Sequence, residues 1–220
     1  MAAAGAGRPG TVTRVSTERQ REGAGQHDPA LSVPCATSSD DLVGQRIVVR
    51  AYHPSDAPAV WHGIEESRAS LARWIPDLAR RRTHSEVRAG IEQLCTARAR
   101  GERLLYGIWQ RSDGQFLGEV GLHDVDLRRG AAAVGYWLRT SARGRTVIDE
   151  ALDLLHSYAI EELRLRHLEA HIASDNVASR RVAERHAYLM VRQRPTDPMW
   201  DGEAATMLIY SLMARSTPGD

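Results

Sequence analysis

Apolar residues recur along this chain with two periods, every second position in some segments and every third or fourth in others. The switches between them outline a domain of mixed strands and helices. Arg46-Ile47-Val48-Val49-Arg50 and Ala51 alternate as a half-buried strand does. Pro54-Ser55-Asp56 then opens a helix with Val60, Trp61 and Ile64 on one face, and Asp56 is its predicted N-cap because a short carboxylate can accept from an orphan N–H. Ser85 is the predicted cap of a second helix that carries Val87, Ile91, Leu94 and Cys95 and ends at Gly101. Arg103 to Gln110 and Gln115 to Asp124 flank Ser112-Asp113-Gly114, a hairpin signal, and Ala132 to Leu138 continues the meander. Val147, Ala151, Leu154, Leu155 and Tyr158 share one face of a central helix. His167 to Ala173 returns to a strand, Asn176 to His186 to a helix, and Tyr188 to Arg192 and Thr206 to Met213 close the pattern as strands. No internal repeat is visible, and the order implies one α+β sheet domain.

The first residues do not share this patterning. Met1 to Asp41 is rich in Ala, Gly, Ser, Thr, Arg and Pro, contains no aromatic residue and has neither period. Such a stretch cannot bury enough apolar surface to offset its ordering entropy, so residues 1–41 are expected to be a disordered tail. It lacks the apolar core of a signal peptide, and Glu18, Glu22 and Asp28 argue against an organelle transit peptide. The expected organisation is that tail, a domain over 42–214 and a short C-terminal tail over 215–220.

Composition adds mainly exclusions. With 42% hydrophobic and 26% charged residues and a net charge of +1, the chain gives no reason to expect a nucleic-acid or membrane partner. No apolar run is long enough to span a bilayer, and a cytoplasmic location is expected. Cys35 and Cys95 are too few for a disulfide framework, and Cys95 on an apolar helix face reads as a reduced, buried thiol. No metal-ligand spacing stands out.

The chemistry concentrates where a strand ending at Leu138 passes through a small and basic turn, Ser141 to Arg145, into the central helix. A strand feeding a helix N-terminus leaves backbone N–H groups pointing outward, and the helix dipole adds positive potential. That arrangement holds a pyrophosphate with few dedicated side chains, and Arg143 and Arg145 add charge. An ordinary strand–turn–helix connection is the bland alternative.

Two segments together carry a resemblance. Gly135-Tyr136-Trp137-Leu138 with Arg143-Gly144-Arg145 and the following helix, and then Asp175-Asn176-Val177-Ala178-Ser179-Arg180-Arg181-Val182 through Tyr188, resemble the GNAT acyl-CoA N-acyltransferases. Within that superfamily they look most like the ribosomal-protein N-terminal acetyltransferases. Arg46 to Arg50 and Leu71-Ala72-Arg73-Trp74-Ile75-Pro76 extend the likeness to about residues 45–213. The resemblance implies an α+β GNAT fold, with a mixed, mostly antiparallel central sheet flanked by helices. It implies acetyl-CoA or another acyl-CoA as co-substrate and no metal. The acceptor would be a protein N-terminus or a small-molecule amine. Transfer would occur by direct attack, and a homodimer is left open. Tyr136, Trp137, Leu138, Arg143, Gly144, Arg145, Thr146, Val147, Ile148, Asn176 and Ser179 fall at the cofactor-binding positions. Arg80-Arg81-Arg82 is a solvated face or a site for an acidic partner or the CoA 3′-phosphate.

Transfer to an amine needs the amine neutral, a donor for the oxyanion and a proton for the departing thiolate. Glu119 and His123 project from the same face of one strand and are candidate bases, or else solvent-facing residues; Glu102 is a further candidate. The superfamily's tyrosine acid is replaced by Ala183, and the resemblance hands that role to Ser179, which could instead simply cap its helix. Trp74 and Trp200 are candidate walls of an acceptor pocket, or core residues.

The loop also departs from the family. Thr146 and Ile148 stand where small residues are usual, Asp149 where Thr or Ser is usual, Ala133 replaces a frequent Glu and Ala187 a Gly. A β-branched residue could crowd the ligand, and a carboxylate in the first turn would repel it. An alternative therefore stands beside the enzyme: a GNAT-fold protein with a degenerate CoA loop that binds a ligand or partner without turnover, or does other chemistry.

Overall fold

The computed structural model describes residues 41–144, 146–195 and 206–214. The expected tails, Arg145 and Trp200 therefore lie outside the described residues, apart from Asp41. The strands are β1 (Leu42–Val43), β2 (Ile47–Ala51), β3 (Arg103–Gln110), β4 (Phe116–Asp126), β5 (Ala131–Leu138), β6 (His167–Ala173), β7 (Leu189–Pro195) and β8 (Thr206–Met213). They form one sheet in the order β1-β2-β3-β4-β5-β6-β8-β7. The β5–β6 pair is parallel and every other pair antiparallel, which is the mixed sheet expected.

Among the described residues the helices are α1 (Ala57–Trp74), α2 (Pro76–Ala79), α3 (His84–Ala99), α4 (Val147–Ser157) and α5 (Val177–Arg185). Strand alternation makes two separate cores. On one face Val60, Ile64 and Leu71 of α1 and Val87 and Ile91 of α3 pack on Tyr52, Trp109, Phe116 and Trp137. On the other, Ala151, Leu152 and Leu155 of α4 and Val182 and Ala183 of α5 pack on Leu104, Val120, Leu122 and Leu168. Fully burying a Leu or Ile side chain contributes about 1.5–3 kcal/mol, so each face fixes its helices strongly.

Most expected strands appear within a residue or two, and the hairpin turns through Gly114 at φ 70°, a left-handed conformation that glycine adopts without a Cβ clash. The helix starts differ. Pro54–Asp56 is a 3₁₀ turn, and Asp56 holds the N-cap position of α1 without a side-chain capping bond. Its carboxylate instead takes two hydrogen bonds from Arg50, both at 2.9 Å, and one from the His53 N–H at 2.8 Å. A fixed guanidinium fork offers a carboxylate more than a single helix N–H does. Thr83, not Ser85, caps α3 through a reciprocal box with Glu86, while the Ser85 hydroxyl bonds that of Thr83. Cys95 is half-buried rather than fully buried; its thiol donates to the Tyr52 carbonyl at 3.5 Å, and burial pushes its pKa up.

Candidate active site

The site begins with an interrupted ladder. β5 and β6 pair only from Ala131–His167 to Ala133–Glu169; Val134–Leu138 and Ala170–Ala173 then diverge. A V-shaped cleft of about 570 Å³ opens between them. Its walls carry backbone N–H and C=O groups that no neighbouring strand occupies, which suits a chain-like ligand bearing amides. The far rim comes from Ser70, Leu71, Trp74 and Ile75 at the end of α1. Trp74 therefore lines the cleft, with the Arg73 guanidinium 4.8 Å from its ring centre.

The cleft's open end meets the turn into α4. Arg139 and Thr140 are pinned to α1 there: Glu66 accepts from Arg139 Nε at 2.7 Å and the Ser141 N–H at 2.5 Å, and the Thr140 N–H donates to Ser67 Oγ at 3.0 Å. Arg143 lines the cleft and donates to Ser70 Oγ at 2.5 Å. Gly144 has φ 71°, and a Cβ added there would meet nothing within 4 Å, so the turn has open space above it. The first-turn N–H groups of α4 have no intrahelical acceptor, and the Thr146 side chain does not cap them. Thr146 itself sits at φ 58°, ψ 10°, the left-handed region that a β-branched residue adopts only with strain.

Two of the departures have been absorbed by packing. Ile148, although it borders the cleft, is 8% exposed and belongs to the α4 core. The helix face thus turns further than the pattern suggests, burying Ile148 and Leu152 and leaving Leu154 only half-buried. The Asp149 carboxylate takes hydrogen bonds from Arg185 at 3.1 and 2.7 Å and lies 3.1 Å from His186 Nε2. A carboxylate matched by a guanidinium and an imidazole repels a bound anion far less than a bare one.

At the start of α5, Asn176 is the N-cap and its side chain accepts from the Ser179 N–H at 3.2 Å. The Ser179 carbonyl accepts from the Tyr136 hydroxyl at 3.2 Å, tying β5 to α5 under the cleft. Burial holds the Tyr136 hydroxyl neutral, its pKa raised to about 12. Asn176 and Ser179 both border the cleft. Trp137 borders it too, but its ring is packed beneath α1 against Phe116, so the backbone there faces the opening.

The two candidate bases separate. His123 lines the cleft, its ring beside Gly135 and its Nδ1 2.8 Å from Asp124. Glu119 does not line it; the carboxylate accepts from the Tyr52 hydroxyl at 2.8 Å, and burial raises its pKa against the opposing pull of that bond and of the Arg81 and Arg103 charges. Glu102 immediately precedes β3 and does not border the cleft. Sequence reasoning passed over Arg185, whose relevance depends on a contact with Asp149, and His171, which lines the cleft from β6. The alternation His167-Leu168-Glu169-Ala170-His171 was the signal available for the latter.

A mixed sheet that parts between its parallel strands, with a helix N-terminus at the mouth of the gap, defines the acyltransferase class of α+β folds. The chain belongs to the acetyltransferase (GNAT) domain family, whose model matches residues 46–187, more than half of the sequence. It is therefore an acetyltransferase by family. It is 27% identical over 183 residues to YdaF of Bacillus subtilis (strain 168), named as a candidate ribosomal N-acetyltransferase, covering 81% of this chain and 97% of that one. A candidate ribosomal-protein-serine acetyltransferase from Vibrio cholerae superposes with a TM-score of 0.71 at 22% identity, over 81% of this chain and all of that one. The ribosomal alpha-N-protein acetyltransferase RimL, in complex with coenzyme A, superposes at 0.70 with 21% identity, over 79% and 98%. At these identities the two structures speak to the fold alone. Among the described residues no helix is long and apolar enough to cross a membrane.

Proposed function

We propose that this protein transfers the acetyl group of acetyl-CoA to the N-terminal amine of a protein, by direct attack within a ternary complex. The observation that carries the reading is the parting of β5 from β6, which leads to an open Gly144 turn at the N-terminus of α4. Residues Tyr136 to Leu138 would pair with the pantetheine amides, and Arg143, Gly144 and the first turn of α4 would hold the diphosphate. Arg145 adds charge in the same turn by its place in the sequence. CoA supplies the activated thioester. Ser179, which borders the cleft, would protonate the departing sulfur, and Asn176 caps the helix turn that carries it. The amine's proton would leave on the face of the sheet that carries Glu119 and His123.

A protein N-terminus is favoured over a small amine because YdaF, matched over 97% of its length, is named as a candidate ribosomal N-acetyltransferase. The non-catalytic alternative loses its motive, since Ile148 is drawn into the core and Asp149 is matched by Arg185.

Isothermal titration should show CoA and acetyl-CoA binding in the micromolar range or tighter; no binding at high micromolar ligand would overturn the reading. A thiol-release assay with peptides and small amines as acceptors should favour the peptides. Ser179→Ala should lower kcat about 100-fold with CoA affinity preserved, as removal of a general acid does. Unchanged turnover in that variant would remove Ser179 from the mechanism.

A further inference from the structure

β6 carries His167, Glu169 and His171 at alternate positions, and Leu168, Ala170 and Ile172 between them are buried in the α4 core. The three polar residues therefore share the opposite face, the one that bears α1. Register places them against the cleft. Glu169 is opposite Ala133, the last rung joining β6 to β5, and Ala133 is in turn opposite His123 on β4. His171 is the next residue on that face beyond the rung, where the strands have parted, and it borders the cleft. Across the gap β5 offers only Gly135, whose missing side chain leaves room beside the His123 ring, 3.5 Å from where a Cβ would stand.

His171 is held by its own strand. Its Nε2 lies 2.9 Å from Glu169 Oε2, and the other carboxylate oxygen lies 3.7 Å from His167 Nε2, which bonds Ser211 Oγ at 2.8 Å. An imidazole that donates Nε2–H to a carboxylate keeps Nδ1 as its proton acceptor, and the carboxylate stabilises the imidazolium that forms. We infer that His171, oriented by Glu169, is the general base that takes the acceptor's proton, with His167 and Ser211 extending the hydrogen-bonded line along β6 and β8.

This role presupposes the amine acetylation proposed for the cleft. The ammonium gives one proton to His171 Nδ1, and its lone pair forms the C–N bond to the acetyl carbon. As the C–S bond breaks, the second proton shed by nitrogen passes through the Ser179 hydroxyl to sulfur. The imidazolium then returns its proton to solvent, so the products are the amide, the thiol and one proton. His123 is the weaker rival because its partner, Asp124, is 81% exposed, and a solvated pair orients poorly. Glu119 lies off the cleft under the Tyr52 hydroxyl. The other charges around the opening are Arg73, paired with Asp175 at 2.6 Å, Arg143, and Arg185 paired with Asp149.

The test is the pH dependence of thiol release with a peptide bearing an N-terminal Ser or Ala. Near pH 7, His171→Asn should lose about 100-fold in kcat. The loss should shrink as pH rises to about 9.5, where the peptide's amine is neutral without help. Glu169→Gln, which leaves the imidazole but not its orientation, should lose about tenfold with the same recovery. CoA affinity by titration should match the wild type in both. Should His171→Asn melt early, His171→Gln replaces it. The inference is overturned if His171→Asn stays within about threefold of wild type. It is also overturned if the loss persists at high pH, or if His123→Asn produces the pH-reversible loss instead. Absence of turnover in the wild type with every acceptor would overturn the acetylation itself, a result distinct from an active enzyme indifferent to His171.

Discussion

Thr146 departs from the family's pattern and also sits in the left-handed region that a β-branched residue adopts only with strain. The chain needs a left-handed residue to swing from the Gly144 turn into α4, and it fills that place with a β-branched one at φ 58°. Left-handed geometry costs an L-residue about 1–2 kcal/mol, which glycine avoids at some cost in unfolded-state entropy. Thr146→Gly should therefore raise stability by about 1 kcal/mol, measurable in denaturant, while leaving the fold unchanged. A loss of stability would mean that the contacts of the Thr146 side chain outweigh its backbone strain. The departure at Thr146 was legible in the sequence. Its φ was not, because nothing in Arg145-Thr146-Val147 demands a left-handed residue until the strand and helix on either side are fixed.

Among elements, the strands were read best. Arg103–Gln110, His167–Ala173 and Thr206–Met213 match their patterns to the residue, since a period of two has little freedom once one face is buried. Helix starts were read worst. Asp56 and Ser85 were reasonable caps by residue type, but Arg50 claimed the first and Thr83 with Glu86 displaced the second. The brace between α4 and α5 is a further case. Asp149 is an anion-repelling residue in the sequence and a matched one in the structure, because α5 brings Arg185 to it. Arg185→Gln should therefore weaken CoA binding about tenfold, or ~1.4 kcal/mol, with Asp149→Asn in the same background restoring it. Titration of the two variants decides the point; equal affinities would show that Arg185 does not shield the site.

At the scale of the whole molecule, stability should depend on pH through groups far apart in the chain. Burial, helped by the His186 charge, lowers the His156 pKa to about 4, and its Nε2 lies 3.0 Å from the Tyr188 hydroxyl. The unfolded chain binds this proton below about pH 6.5, whereas the folded one resists until about 4, so stability falls as pH falls through that window. The loss is on the order of 3 kcal/mol at most. Burial alone would raise Glu66 and Glu150, but Arg139 with Ser141, and Arg46, outweigh it and hold both below the usual carboxylate range. Their contributions are lost only at still lower pH. The melting temperature should drop from pH 6.5 to 4.5, and His156→Asn should flatten that slope. An unchanged slope would locate the sensitivity elsewhere.

The sequence by itself determined most of the order of strands and helices, the family and the small, basic turn that leads from β5 into α4, because periodicity, turn residues and motif spacing are local properties of a chain. Tertiary structure alone decided where β5 and β6 part, that Ile148 faces the core, that Asp149 meets Arg185, and that His171 stands beyond the last rung. Those outcomes depend on contacts between residues distant in sequence, and no local pattern encodes which side chain arrives opposite which.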